Sequence, residues 1–472
     1  MTVHPTTAPL GADAPTLPKL AIPLICIAQL MATLDVTIVN LALPAIQQDL
    51  DLSNAGLAWV IDAYTLAYAG LLLVGGRGGD LFGHRRTLMV GIAMFTASSL
   101  LAGLATEAGP LLAARAGQGL GAALATPTTL SLITTLVPAG PRRTRAMVAY
   151  GAMAGLGITL GLVLGGVLTE AASWRWVFLV NVPIGLVLLV SAPRVLPETR
   201  GVARRVDLLG ALTGTAALTT LVYGVIRAGT HHWGEQQSVI ALTASLVLLV
   251  AFVLVEMRVT EPTLPLWLLR HRVRLGAYLV AALLFGCLYP SFFLLSRALQ
   301  DVLDLGPIGA GLRFLPIGVG VLVFAIAARK VMLRTGARVL VLGGTLATTA
   351  GAGATIFLER DTGYATFLLP ALIGLGAGVG TTFVANSALA MTDVPDRDTG
   401  IASGLLSTFS AIGGTIGVAA LASVAAARTE NGCASFRTRP PRTPPSTPCS
   451  TASGSDWPSR PRWPRPPCSW SW

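Results

Sequence analysis

An all-α polytopic membrane protein is the fold class this sequence predicts, on three observations. Of its 472 residues, 53% are hydrophobic and only 12% are charged. The mean hydropathy is +0.69. Apolar runs of the roughly 20 residues needed to cross a bilayer follow one another along most of the chain, separated by short charged or Gly/Pro-rich joints. This composition excludes a soluble globule. The net charge of +11 does not argue for nucleic acid, because the basic residues sit in the joints and in an unusual C-terminal stretch.

Taken in order, the runs fall near residues 21–46, 55–75, 87–106, 109–136, 145–169 and 176–193, then 207–227 and 237–256. Five more follow near 275–297, 307–328, 338–358, 364–391 and 399–426, about thirteen helices in all. The first 20 residues carry one Lys, several Pro and no cleavage-type ending, so no removable signal peptide is expected. One alternating set of joints holds Arg77, Arg85 and Arg86, then Arg142, Arg143 and Arg145, then Arg194 to Arg205, Arg258 to Arg274, and Arg329 to Arg338. The opposite set holds Asp49, Asp51, Glu107, Arg175, Arg227, Asp301, Asp304 and Glu359 to Asp361, so the bias is one-sided by several to one. Positive charge marks the cytoplasmic side, which predicts an inside N-terminus. The acidic joint Asp393 to Asp398 breaks the pattern.

The first run places Asp35 where hydrocarbon should be. A lone Asp near mid-span costs about 2.5–3.5 kcal/mol on insertion scales, so it belongs where it faces a wet cavity or a partner. The alternative is a helix-end Asp paired with a neighbouring polar group. In the second run Asp62 follows Trp59 by less than a turn and either lines a cavity or sits at the interface. The stretch Gly75-Gly76-Arg77-Gly78-Gly79-Asp80-Leu81-Phe82-Gly83-His84-Arg85-Arg86 predicts a tight basic joint, with Asp80 placed to cap the third helix. Arg115, in Arg115-Ala116-Gly117-Gln118-Gly119 before Pro127, answers a carboxylate or snorkels to the outer surface. The fifth run carries Gly151, Gly155, Gly157, Gly161, Gly165 and Gly166, small-residue spacing that suits close helix packing, static or sliding. Gly374, Gly376, Gly378 and Gly380 lie inside an apolar run and are packing glycines, not a dinucleotide loop. No metal-ligand spacing, disulfide framework, nucleophile with a matching base, or Walker-type loop occurs, so neither an enzyme nor an ATP-driven pump is expected.

After Arg428 the composition changes abruptly. The last 44 residues contain no Leu, Ile, Val or Met, but ten Pro, four Trp, eight Ser and three of the five Cys. Disorder is the physical expectation for 429–472. A shifted reading frame that replaced a last helix accounts for the change, with a genuine Pro-rich tail as the alternative.

In combination, Leu34-Asp35-Val36-Thr37-Ile38-Val39-Asn40-Leu41-Ala42-Leu43-Pro44, the Gly76 to Arg86 joint, Arg115 to Pro127, the fifth-run glycines and Gly400-Ile401-Ala402-Ser403-Gly404 resemble the fourteen-span drug:proton antiporters of the major facilitator superfamily. Leu162 stands where that pattern has proline, Gly78 where it has Leu, and His84 where it has Arg. The resemblance implies a cytoplasmic tail (1–20), a six-helix bundle (21–193), two inserted helices (194–256) and a five-helix second bundle (257–428) lacking its last helix. It implies Asp35 and Arg115 in proton coupling. Asp35, Asp62, Asn40 and Gln118 would line the substrate cavity, and Gly76, Asp80, Gly83, Arg85 and Arg86 the cytoplasmic gate. Gly157, Gly161, Gly165 and Gly166 would be glycines of a rocking helix. It implies a monomer in the bacterial cytoplasmic membrane, driven by proton motive force without a cofactor, exporting amphipathic or cationic drugs with no nucleic-acid partner. A narrow-substrate exporter conferring self-resistance, or a non-transporting or defective membrane protein, are the rival expectations.

Overall fold

The computed structural model describes residues 19–437 except 139, 199–206, 231–232, 260–263, 298, 300–306, 356–363 and 396–397. The first 18 residues and the stretch from 438 onward, where most of the Pro-rich segment falls, lie outside the described residues. Fifteen α-helices follow in order among the described residues, with one short π-helical turn and no strand. They are α1 (Ala21–Asp49), α2 (Asn54–Phe82), α3 (His84–Gly103), α4 (Ala108–Leu136), α5 (Pro141–Ala171), α6 (Trp176–Leu179), α7 (Asn181–Val195), α8 (Leu208–Thr230) and α9 (Gln236–Glu256). Then come α10 (Trp267–Arg270), α11 (Arg272–Arg297), α12 (Pro307–Thr335), α13 (Ala337–Ala354), α14 (Leu369–Ala390) and α15 (Thr399–Arg437). Among the described residues, twelve spans, α6 and α7 counting as one, are long and apolar enough to cross a membrane. The shorter helix α13 packs among them against α14.

Helices α1 to α7 form one bundle, built on α1 against α5 and on α4 against both α2 and α3. Helices α11 to α15 form the second, through α12–α14, α13–α14 and α11–α15. The inserted α8 and α9 pair with each other, and α8 touches α2 of one bundle and α15 of the other. Helix α9 turns Ile240, Leu246, Val247, Val250 and Leu254 outward, at least half exposed. Bare apolar side chains on this scale belong in lipid.

Two boundaries differ from the sequence expectation. The basic joint 76–86 is mostly helix: α2 runs on to Phe82, and only Gly83, at φ +93°, breaks the chain before α3. Left-handed backbone favours glycine there, whereas Gly76 serves a close approach. A Cβ on Gly76 would lie 2.5 Å from the carbonyl oxygen of Gly400 in α15. At the other end of the chain α15 continues past Arg428 to Arg437. That segment has no proline before Pro440 and follows the helix-favouring Ala425-Ala426-Ala427.

Candidate transport site

Asp35 lies near the middle of α1 with no exposed surface. Burying a carboxylate demands a counter-charge and hydrogen bonds to its remaining lone pairs, and two helices, α4 and α7, supply them. Arg115 of α4 donates from Nη1 to Asp35 Oδ2 at 2.8 Å, and Gln118, one turn further along α4, donates from Nε2 to Asp35 Oδ1 at 3.0 Å. Asn181, the first residue of α7, donates from Nδ2 to the same Oδ1 at 3.0 Å. The guanidinium makes two further hydrogen bonds. Arg115 Nε donates to the Val60 carbonyl at 2.9 Å, and Nη1 donates also to Gln118 Oε1 at 2.9 Å. Its carbon sits 4.6 Å from the Tyr64 ring centroid and 5.9 Å from that of Phe178, within cation–π range. Gln118 Nε2 reaches Ser99 Oγ of α3 at 2.8 Å. Arg115 is therefore a partner of the carboxylate, not a snorkelling surface residue.

Close helix approach makes this geometry possible. Gly157, Gly161 and Gly165 of α5 lie against the α1 backbone at Leu30, Leu34 and Ile38, where an added Cβ would come within 2.5–3.0 Å of those carbonyl oxygens. These glycines clamp α5 to α1 on either side of Asp35, inside one bundle. Gly166 is buried. The face of α5 toward the second bundle is carried instead by Gly151, against Val384 and Phe383, and by Gly155, against Val321.

A second cluster joins the two bundles at the end that bears the basic joints. Asp80 does not cap α3. Its two carboxylate oxygens accept from the backbone N–H groups of Gly400 (2.9 Å) and Ile401 (3.1 Å), at the start of α15. The reason is that α2 remains helical through Asp80, which turns its side chain toward the second bundle, where the N-terminal N–H groups of α15 need an acceptor. Arg77 stands 3.9 Å from Asp398, and His84 stands 3.7 Å from Asp80. The acidic joint that broke the charge pattern thus places one acid, Asp398, against Arg77. Ser403 donates to the Pro127 carbonyl at 2.7 Å and pairs with Ser131 at 2.8 Å, while Thr135 and Thr399 meet at 3.4 Å. Arg85 and Arg86 point elsewhere: Arg86 pairs with Glu198 at 2.7 Å, and Arg85 reaches Glu198 at 3.5 Å and the Leu196 carbonyl at 3.2 Å.

Of the remaining sequence candidates, Asp62 is half-buried in α2, and Asn40 is exposed and donates to the Val36 carbonyl of its own helix at 3.2 Å. Sequence reasoning did not single out Asn181, Ser99 or the carbonyl of Val60. Asn181 carried one signal, an amide inside an otherwise apolar run. A further buried polar chain, Tyr150 donating to Gln29 Oε1 at 2.8 Å with Tyr150 stacked on Phe383 of the second bundle at 6.2 Å, was also unforeseen.

Two bundles of membrane-length helices, in contact through α5–α12, α2–α15 and the Asp80 cluster, with an ion pair buried in mid-span of the first, define a membrane transporter. The chain belongs to the Major Facilitator Superfamily, whose family model matches residues 25–418. It is 45% identical to a puromycin resistance protein of Streptomyces alboniger, over 75% of this chain and 71% of that one. It is 42% identical to a cephamycin export protein of Amycolatopsis lactamdurans, over 78% of this chain and 77% of that one. A lincomycin resistance protein of Streptomyces lincolnensis is 40% identical, over 77% and 76%. Among solved structures, the human organic anion transporter MFSD10 superposes with a TM-score of 0.62 at 15% identity, over 86% of this chain and 93% of that one. The proton:xylose symporter XylE gives 0.59 at 14% identity, over 88% and 90%. These two likenesses concern the fold.

Proposed function

We propose that this transporter exports an antibiotic or related drug-like molecule from a bacterial cytoplasm in exchange for protons, with its N-terminus and basic joints inside. The observation that carries the reading is the carboxylate of Asp35, buried in mid-membrane and held by one guanidinium and two amides. Resistance and export relatives for puromycin, cephamycin and lincomycin support the substrate class. In the latched arrangement the cytoplasmic end is shut. Asp35 takes a proton from outside, its grip on Arg115 weakens, and the helices it ties together can shift. The Asp80–α15 contact then opens, and the bundles rock about a central site. Release of the proton inside restores the ion pair. One charge crossing 100 mV is worth about 2.3 kcal/mol, enough for a tens-fold substrate gradient. Asp62 adds negative potential for a cationic substrate. No cofactor enters this scheme, and one monomer suffices for it.

In everted vesicles, Asp35→Asn should abolish proton-coupled efflux of a fluorescent cation or of puromycin while leaving the amount of inserted protein unchanged. Undiminished efflux in that variant would end the proposal. A second reading, a narrow-substrate exporter, is favoured by three relatives whose names each carry a single antibiotic. A panel of puromycin, lincomycin and a cephamycin on a sensitive host separates one substrate from many.

A further inference from the structure

The Asn181 side chain has no exposed surface, and only half of its amide is used: Nδ2 donates to Asp35, whereas Oδ1 has no hydrogen-bond partner. Leaving a buried carbonyl acceptor unbonded carries its desolvation penalty, and a site already holding a guanidinium and a glutamine amide does not need a third donor enough to explain that cost. The orphan oxygen belongs to a group whose two ends are nearly equal in size, so a half-turn about Cβ–Cγ exchanges them in the same space. After that turn Oδ1, an acceptor, occupies the point 3.0 Å from Asp35 Oδ1 where Nδ2 now donates. A carboxylate there requires a donor. A carboxylic acid there offers one.

We infer that Asn181 is a two-state positioning residue for Asp35, donating through Nδ2 to the carboxylate and turning over to accept through Oδ1 from the protonated acid. The balance is simple. One proton, given up by a hydronium ion of the outside aqueous phase as its O–H bond breaks, adds to Asp35 Oδ1, the Nδ2–H···Oδ1 bond is lost, and an O–H···Oδ1 bond to Asn181 replaces it, with no other covalent bond changed. The groups around the carboxylate make Asn181 the residue suited to this. Arg115 from α4 can only donate, and the Gln118 amide is fixed at both ends, its Nε2 on Asp35 and Ser99 and its Oε1 on Arg115. Tyr64 from α2 faces the guanidinium with its ring, α3 offers Ser99, and α5 presents Gly157, Gly161 and Gly165 to this stretch of α1. Because Asn181 begins α7, just after the break at Val180, its turn also links the protonation of α1 to the α6–α7 junction.

The inference rests on Asp35 taking up a proton, and difference infrared spectroscopy separates the two. Purified protein in lipid is taken through a pH cycle, with asparagine side chains isotope-labelled at the carbonyl. A protonated-acid band that appears in the wild type and vanishes in Asp35→Asn reports titration of Asp35. Turning of Asn181 predicts that an asparagine amide carbonyl band falls in frequency together with it, in the wild type but not in Asp35→Asn. In Asn181→Leu the acid band should move to higher frequency, because its O–H has lost its acceptor. An acid band that forms while the amide band stays still overturns the two-state role and leaves the transport proposal standing. If no acid band forms at all, both fall. The wild-type amide readout holds even if Asn181→Leu does not fold.

Discussion

In the first bundle a carboxylate and a guanidinium meet at 2.8 Å in mid-span, between α1 and α4. In the second bundle the large buried cation is Arg274, at the basic-joint end of α11. It donates to the carbonyls of Thr392 (3.4 Å), Asp393 (3.2 Å) and Trp267 (3.4 Å) and lies 4.6 Å from the Trp267 ring centroid. Helices α11 to α14 contain no Asp or Glu. A guanidinium held through Nη1 and Nη2 by carbonyl dipoles and lying on an aromatic face is a fixed structural anchor, since neither kind of partner titrates. A guanidinium satisfied by a carboxylate is a pair whose charge can be switched by one proton. The difference assigns proton handling to the first bundle, on the proposed reading, and leaves the second bundle as the body that moves against it.

The comparison can be broken by variants, taken from the largest expected effect. Arg115→Leu strands the Asp35 carboxylate without its counter-ion, and removing one partner of a buried pair costs about 3–5 kcal/mol. Thermal unfolding of the purified protein should fall sharply and efflux should vanish. The double variant Asp35→Asn/Arg115→Leu should recover most of the stability and none of the efflux. A single variant as stable as wild type would show that the pair is not a unit.

Next, Gly76→Val forces a side chain against the Gly400 carbonyl. Overpacking of about 1–3 kcal/mol shifts the population away from the latched arrangement by roughly five- to 150-fold. Disulfide cross-linking of a Thr135→Cys/Thr399→Cys pair should then drop in yield, and an unchanged yield would deny that these helices must touch. Asp80→Ala removes a helix cap worth about 0.5–2 kcal/mol and should lower the same cross-linking more modestly. The smallest effect on coupling is expected from Arg274→Gln. It should lower stability, because three carbonyls lose their donor, yet leave the pH profile of efflux unmoved. A shifted profile would erase the contrast between the bundles.

How much of this was legible beforehand differs from residue to residue. Asp35 and Arg115 announced themselves because a charge inside an apolar run is expensive whatever surrounds it. That the two face each other was not legible, since they are 80 residues apart and helical periodicity fixes only which face of its own helix each occupies. Asp80 was visible as an acid among glycines, but whose helix it caps depended on whether α2 stops at Gly75 or runs on to Phe82. Local sequence favours a turn there, and only the approach of α15 explains the helix. Asn181 was the hardest to see. A single amide is cheap to bury once bonded, so it left little trace in the sequence.

By itself, then, the sequence determined that this chain lives in a bilayer as a series of helices, which side carries the positive charge, and which charges must be excused from the hydrocarbon. Transfer energetics act on each segment separately and need no neighbours. Only the tertiary structure decided the pairings. Asp35 meets Arg115, Gln118 and Asn181; three α5 glycines clamp α1 while Gly151 and Gly155 face the second bundle; Asp80 reaches across to α15. Contacts between helices distant in sequence are set by which backbones can approach closely, and that is a property of the assembled bundle and of no single segment.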